Sequence, residues 1–259
     1  MSGAPGPLRA LLVDLEGTVY QDRRLIPGAA AALASAAERG IEVAFVTNTT
    51  SRPRSILVRE LAEMGLSVDV ESIFSAARAA RAYLLRGGHR RCFLLARPSL
   101  MEDLAGIDVD ESAAADTVLL GDLGDTLTFD RLNRAFRTVV SGAELVTLAR
   151  NRYWRSKDGL VLDVGAFAAA LEYSSGKPAT LVGKPSPRFF EEVLAAMGIP
   201  AGEAAVVGDD VESDVAGGQN AGMRGILVRT GKFRGEDPHR SSVRPDAILD
   251  SIADLPSVF

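Results

Sequence analysis

The feature that most limits what this chain can fold into is a repeating order. Short, continuously apolar runs alternate with longer stretches at helical spacing. The pattern predicts strands over 10–14, 41–46 ("IEVAFV"), 179–183 ("ATLVG"), 204–208 ("AAVVG") and 225–229. It predicts helices over 28–39, stopped by Gly40, over 53–64, ending at Gly65, and over 187–197 and about 213–221. "SIFSAARAARAYLLRGG" reads as a short strand, a helix and a glycine stop, and the polar tail "EDPHRSSVRPDAIL" as a loop before a closing strand and helix. From about 89 to 178 the alternation restarts, with strands at "CFLLA", "TVLLG" and "ELVTLA" and helices near 99–104, 129–140 and 166–175. Apolar strands separated by helices imply a parallel sheet covered on both faces, hence an α/β, doubly wound fold. At 259 residues the chain has room for one such core and a smaller companion.

Against this background, four polar residues stand out by position. Asp14, Thr47, Lys184 and Asp209 each end an apolar run or directly follow one. In an open α/β sheet that is the edge where ligands bind. A carboxylate such as Asp14 can attack phosphorus and split one hard displacement into two easier ones. Taken alone, Asp14 reads equally well as a helix N-cap. "VVGDDVESDVAGG" places Asp209 and Asp210 after a strand and Asp214 at the head of a helix. Acids gathered there repel one another unless a cation is present. Mg²⁺, a hard ion bound by one or two carboxylates plus waters and phosphate oxygens, suits Asp14 with Asp209, and Asp214 could hold its waters. Asp210 and Glu212 read as solvated acids of a first helical turn. Thr47 and Asn48, in "FVTNTTSRP", offer a hydroxyl and an amide to phosphoryl oxygens, or simply form a capped turn. Lys184, in "LVGKPSPRFF", is costly at a buried strand end unless paired. Beside Asp14 and a phosphate it would offset the charge of phosphoryl transfer; the competing reading is an ordinary loop lysine.

Composition narrows the partners. The net charge of -5 argues against a nucleic-acid backbone. No apolar stretch approaches the ~20 residues of a membrane span, and the start lacks the basic and apolar pattern of a signal peptide, so no membrane partner and a cytoplasmic location are expected. The single cysteine, Cys92, lies in the apolar run "RCFLLA" and reads as a buried structural thiol. The two histidines, His89 and His239, have no candidate ligand beside them, so the chemistry rests on carboxylates, lysine and hydroxyls.

In this order, "DLEGT", "VTN", "GKP" and "GDDVESD" resemble the four motifs of the haloacid-dehalogenase superfamily of aspartate-nucleophile phosphatases. The resemblance implies a Rossmann-like core over 1–85 and 179–259, with an inserted α/β cap of type C2 over 86–178 that excludes water and selects the substrate. It implies a Mg²⁺-dependent phosphohydrolase of small phosphorylated compounds acting through an aspartyl-phosphate. Asp14 would be the nucleophile, and Asp14, Asp209 and the backbone carbonyl of Glu16 would hold Mg²⁺ with Asp214 behind it. Thr47, Asn48 and Lys184 would grip the phosphoryl group. It also makes a homodimer an expectation. The family usually has Asp where this chain has Glu16, the residue that serves as acid and then base. Glu supplies the same carboxyl group on a longer arm, and proton transfer needs heavy atoms within about 2.6–3.2 Å. That departure supports the alternative of a weak or inactive relative that binds Mg²⁺ or phosphate and acts through protein contacts. A receiver domain phosphorylated on Asp14 fits less well, given the long insert. In "ARNRYWRSKDG" the basic residues Arg150, Arg152, Arg155 and Lys157 flank Tyr153 and Trp154. They could bind a second anionic group or form a solvated hairpin, and the latter is the simpler expectation.

Overall fold

The computed structural model describes residues 6–111, 114–156, 159–234 and 242–259. Lys157 and His239, both read above, lie outside the described residues, as does the side chain of Arg155. The chain divides into two compact units. One comprises residues up to Thr47, Arg54–Phe74 and Lys184–Phe259, and the other Asn48–Pro53 and Ser75–Gly183.

The first unit is built on a six-stranded sheet in the order Ala247–Leu249, Arg224–Val228, Ala204–Gly208, Ala10–Asp14, Glu42–Thr47, Ile73–Ser75. Numbered along the chain, that is 3-2-1-4-5-6 read from the other edge, the doubly wound arrangement. Ala10–Asp14 pairs in parallel with Glu42–Thr47 on one side and with Ala204–Gly208 on the other. Its five residues are all buried, as a central strand with two covered faces requires. One face carries Leu11, Val13, Ala205, Val207, Ile226 and Val228, which share a core with Leu33 of helix Ala29–Glu38 and with Leu57 and Leu61 of helix Arg54–Glu63. On the opposite face Val206 meets Gly218 so closely that a Cβ there would collide with it.

In the second unit a five-stranded parallel sheet runs Thr180–Leu181, Glu144–Thr147, Thr117–Leu120, Arg91–Leu95, Asp108–Val109. Successive residues of Arg91–Leu95 alternate between cores. Cys92 and Leu94 pack with Ala77, Ala80 and Leu84 of helix Ala76–Arg86. Phe93 and Leu95 pack with Ala135 and Val139 of helix Phe129–Val140 and with Ala168 and Leu171 of helix Val164–Ser175. Burial pushes the Cys92 thiol up to about 12, so it is the inert, structural cysteine expected. Arg150 is ion-paired with Glu172, whose carboxylate also accepts the Ala179 N–H at 2.7 Å, so this guanidinium is engaged within the unit. Tyr153–Ser156 and Gly159–Leu162 form the antiparallel hairpin, with Arg152, Tyr153 and Trp154 exposed.

Local features differ from the sequence reading, among them the strand read over 179–183, which is only Thr180–Leu181 and belongs to the second unit's sheet, and the closing helix, Ile252–Val258, which is 3₁₀. Pro98–Leu104 is a 3₁₀ rather than an α-helix, a form confined to short pieces. The segment read as one helix over about 213–221 is a π-helical stretch, Val211–Ala216, followed by one α-turn, Gly217–Asn220. A hairpin of two-residue strands, Tyr20–Gln21 and Arg24–Leu25, went unread because such strands are too short to show a period. Its turn places Asp22 and Arg23 at φ 50° and 59° without the glycine that usually marks it.

Helix Pro187–Met197 supports the segment carrying Lys184. Phe189 and Phe190 are fully buried, with edge-to-face rings 5.5 Å apart, and Phe190 packs tightly against Gly217. Phe190→Ala is expected to destabilise the protein by about 3–5 kcal/mol, the cost of emptying such a site, measurable by urea denaturation.

Candidate active site

At the point where the strand order of the first sheet reverses, Ala10–Asp14 and Ala204–Gly208 lie side by side. Their carboxyl ends deliver Asp14 and, one residue past the strand, Asp209. This is the crevice where ligands bind in open α/β sheets. Asp14 is followed by a turn, and the next helix is preceded by Gly28, so Asp14 caps no helix and that alternative falls away.

Lys184 is only 3% exposed. Its ammonium donates to Asp14 Oδ1 at 2.5 Å and to Asp214 Oδ1 at 2.7 Å. Although it stands in a turn, it is therefore no surface lysine but a buried, paired cation. Asp14, Asp209 and Asp214 each place a carboxylate oxygen within 4.8 Å of one another, and all three are buried. A close set of hard oxygen donors fits a divalent cation such as Mg²⁺, so the donor chemistry and the metal expected from the sequence agree. The Thr18 hydroxyl lies 3.5 Å from Asp14 Oδ2.

How Asp214 reaches this cluster explains the π-helical stretch. Asp210 caps it, accepting from the Glu212 and Ser213 N–H groups at 3.1 and 3.0 Å, while Asp214 N–H and Val215 N–H both return to the Asp210 carbonyl. The widened turn sets the Asp214 carboxylate against Gly208, where any Cβ would collide with it. Asp210 is thus the cap rather than a merely solvated acid, whereas Glu212 is exposed. Asp214, expected to stand behind a metal, bonds directly to Lys184.

Other candidates are placed less tightly. Thr47 is buried at the end of the strand neighbouring Asp14, one residue beyond Val46, the partner of Asp14 in the sheet. Asn48 belongs to the second compact unit, where its side-chain oxygen closely faces Gly183. The Glu16 side chain is exposed, and its backbone bridges to Tyr20. The sequence reading missed the turn Thr230–Gly231–Lys232. Its Lys232 N–H donates to Asp209 Oδ2 at 2.5 Å, and its Thr230 hydroxyl donates to the Gly17 carbonyl at 2.5 Å. The signal was available, since this turn also follows an apolar run, "GILV", at the same edge.

Three acids and one lysine share this buried space, and the excess of acid shows in their proton affinities. Burial raises Asp209 to about 6, opposed by the Lys232 N–H. Burial raises Asp214 to about 7, with Lys184 opposing and Asp14 reinforcing. Asp14 is raised by burial, against Lys184 and with Asp209. Burial works against the Lys184 ammonium, yet Asp14 and Asp214 outweigh it and hold its pKa above the ordinary value. The lysine thus stays charged while the acids compete for protons.

A doubly wound sheet with an aspartate, a buried lysine and a metal-capable acid group at its switch point defines a class of phosphate-handling enzymes. Comparison with known proteins agrees. Residues 11–110 match the haloacid dehalogenase-like hydrolase model and residues 181–255 a HAD-hydrolase-like model. The chain is 39% identical over 244 residues to haloacid dehalogenase-like hydrolase domain-containing protein 2 of Bos taurus, covering 94% of this chain and 93% of that one. It is 36% identical over 253 residues to phospholysine phosphohistidine inorganic pyrophosphate phosphatase of Danio rerio, covering 95% and 92%. The crystal structure of a 4-nitrophenylphosphatase from Thermotoga maritima superposes with a TM-score of 0.90 at 33% identity, covering 96% of this chain and 97% of that one. The chain belongs to the haloacid dehalogenase-like hydrolase family, as its ordered motifs implied. Among the described residues, no helix is long and apolar enough to cross a membrane.

The raised acids make a stability prediction. Unfolded aspartates ionise near 3.8, whereas Asp209 and Asp214 hold protons up to about 6 and 7. Their contribution to stability is complete below the unfolded value and lost as pH rises through those two folded values. In EDTA, the thermal midpoint should therefore fall more steeply between about pH 4 and 7 for the parent than for Asp209→Asn, and Mg²⁺ should flatten the parent's decline.

Proposed function

We infer that this chain is a phosphohydrolase that cleaves small phosphorylated compounds, phosphomonoesters first among them, by way of an aspartyl-phosphate on Asp14. The observation that carries this reading is the Lys184 ammonium, 2.5 Å from Asp14 Oδ1 in a buried site shared with Asp209 and Asp214. The names of the 4-nitrophenylphosphatase and of the Danio rerio phosphatase support it, and the latter extends the candidate substrates to phosphoamides and pyrophosphate.

In the first step an Asp14 oxygen attacks phosphorus, a P–O bond forms, and the bond to the leaving group breaks. Glu16 gives the leaving oxygen its proton; its exposed position lets it exchange protons with water. Lys184 sits where negative charge gathers and holds Asp14 in one orientation. Thr47 and Asn48, with Lys184, would hold the phosphoryl oxygens. In the second step a water, losing its proton to Glu16, attacks the phosphorus of the acyl phosphate, and phosphate and the Asp14 carboxylate are released. Asp14, Asp209 and the Glu16 backbone carbonyl would hold Mg²⁺, with Asp214 behind them, and the ion would supply positive charge to the phosphoryl group. The division into catalytic core and cap, read from the sequence as 1–85 with 179–259 and 86–178, is part of the same proposal, with helix Ala76–Arg86 and strand Thr180–Leu181 moved to the second unit, where they pack.

The test is phosphate release from a panel of phosphate esters, with Mg²⁺ and with chelator. The parent should turn over at least one ester only with Mg²⁺, and Asp14→Asn should lose activity by a factor of roughly 10⁴ or more, as loss of a covalent nucleophile does. A parent that binds Mg²⁺ yet hydrolyses none would favour the non-catalytic alternative. Glu16→Gln should slow turnover by roughly 10²–10⁴-fold, the usual worth of general acid–base catalysis; hydrolysis at the parent rate would remove Glu16 from that role.

A further inference from the structure

The three acids of the site are not fixed in the same way. Asp14 and Asp214 are both held by the Lys184 ammonium. Asp209 is held from another direction, by the main chain of a turn that follows strand Arg224–Val228. Its Oδ2 accepts the Lys232 N–H at 2.5 Å. The same oxygen lies against two glycines, Gly17 and Gly231, at φ 96° and 57°, and a Cβ on either would collide with it. The Thr230 hydroxyl donates to the Gly17 carbonyl at 2.5 Å, so the turn after Asp14 and the turn after Arg224–Val228 are tied together around Asp209.

From this geometry we propose that the Thr230–Gly231–Lys232 turn is a positioning device for the metal ligand Asp209. It holds Oδ2 with a backbone donor and two side-chain-free walls and leaves the other carboxylate oxygen to a divalent cation. The proposal rests on the reading of the acid cluster as a Mg²⁺ site. Its physical basis is that a flexible carboxylate binds a metal tightly only when its orientation is set beforehand by hydrogen bonds behind it. A backbone donor suits this task because it cannot swing away, and glycine is the residue that lets main chain approach a carboxylate so closely. Two positive-φ glycines facing one carboxylate oxygen, on turns far apart in sequence, are hard to explain by chain reversal alone. Elsewhere in the first unit Gly40, Gly65 and Gly198 also have positive φ, and a Cβ on any of them would meet nothing within 4 Å.

That contrast supplies the control. Gly231→Ala and Gly198→Ala both force a Cβ into the left-handed region, at φ 57° and 66°, but only the first strikes Asp209. By calorimetric titration with MgCl₂, Gly231→Ala should bind Mg²⁺ about 10–100-fold more weakly than the parent, the usual loss when a group that orients a ligand is disturbed. Gly198→Ala should bind Mg²⁺ as the parent does, while its thermal midpoint in EDTA falls less than that of Gly231→Ala, whose Cβ also meets the Gly17 main chain. Equal Mg²⁺ affinity in parent and Gly231→Ala overturns the proposal and leaves the functional reading standing. A parent that binds no Mg²⁺ overturns both. A second measurement needs no change at Gly231. The Lys232 amide proton should exchange with solvent slowly in the metal-free parent and markedly faster in Asp209→Ala. Equal rates would show that the hydrogen bond does not hold Asp209, and the proposal would fall.

Discussion

The ammonium of Lys184, shared between Asp14 and Asp214, is the interaction on which the rest of the site depends. Three carboxylates buried within one small volume repel one another, and each loses the water that would stabilise its charge. One lysine compensates only in part, which is why Lys184 keeps its proton while the acids are pushed upward. A buried pair of this kind is weak evidence for stability, since removing the charges from water costs nearly what their attraction returns. Its presence at a strand end is better explained by a task that requires both an acid excess and a fixed positive charge. Binding a divalent cation and a phosphoryl group is such a task.

The fold makes this convergence possible at low cost in local structure. Asp14 and Lys184 are 170 positions apart. The doubly wound order places the first strand beside Ala204–Gly208, so their ends, and the acids they carry, become neighbours without any distortion of either strand. Asp214 approaches through the widened turn at Val211–Ala216 and the bare Gly208 that it faces. π-type turns inside helices are uncommon and tend to mark functional sites, which agrees with the position of this one. Asp209 is reached from the far side by the turn at Thr230–Lys232.

The sequence revealed what depends on strand ends and concealed what depends on turns. Asp14, Asp209 and Lys184 could be read because each closes an apolar run, and the alternating runs fixed the α/β class. The contact between Asp214 and Lys184 could not, because a regular helix and a π-widened one have the same apolar spacing over so short a stretch. In the sequence Asp210 looks like a solvated acid for the same reason, since capping is a matter of backbone geometry that its neighbours do not announce. Arg150, read as a possible anion binder, is engaged with Glu172, a pairing between residues 22 positions apart that composition alone does not disclose. The Thr230–Lys232 turn was legible in principle by the rule that exposed the other strand ends. Its contact with Asp209 runs through the main chain, so no reactive side chain marks it in the sequence.

The proposed function turns on phosphorylation of the Asp14 carboxylate itself. It is measured most directly by mixing the Mg²⁺-loaded enzyme with an intact ester that it turns over, quenching with acid during turnover, reducing with borohydride and mapping the peptides by mass spectrometry. Residue 14 should be reduced to homoserine, dependent on substrate and absent from enzyme quenched without it. Reduction at another carboxylate, with residue 14 unmodified, would contradict it.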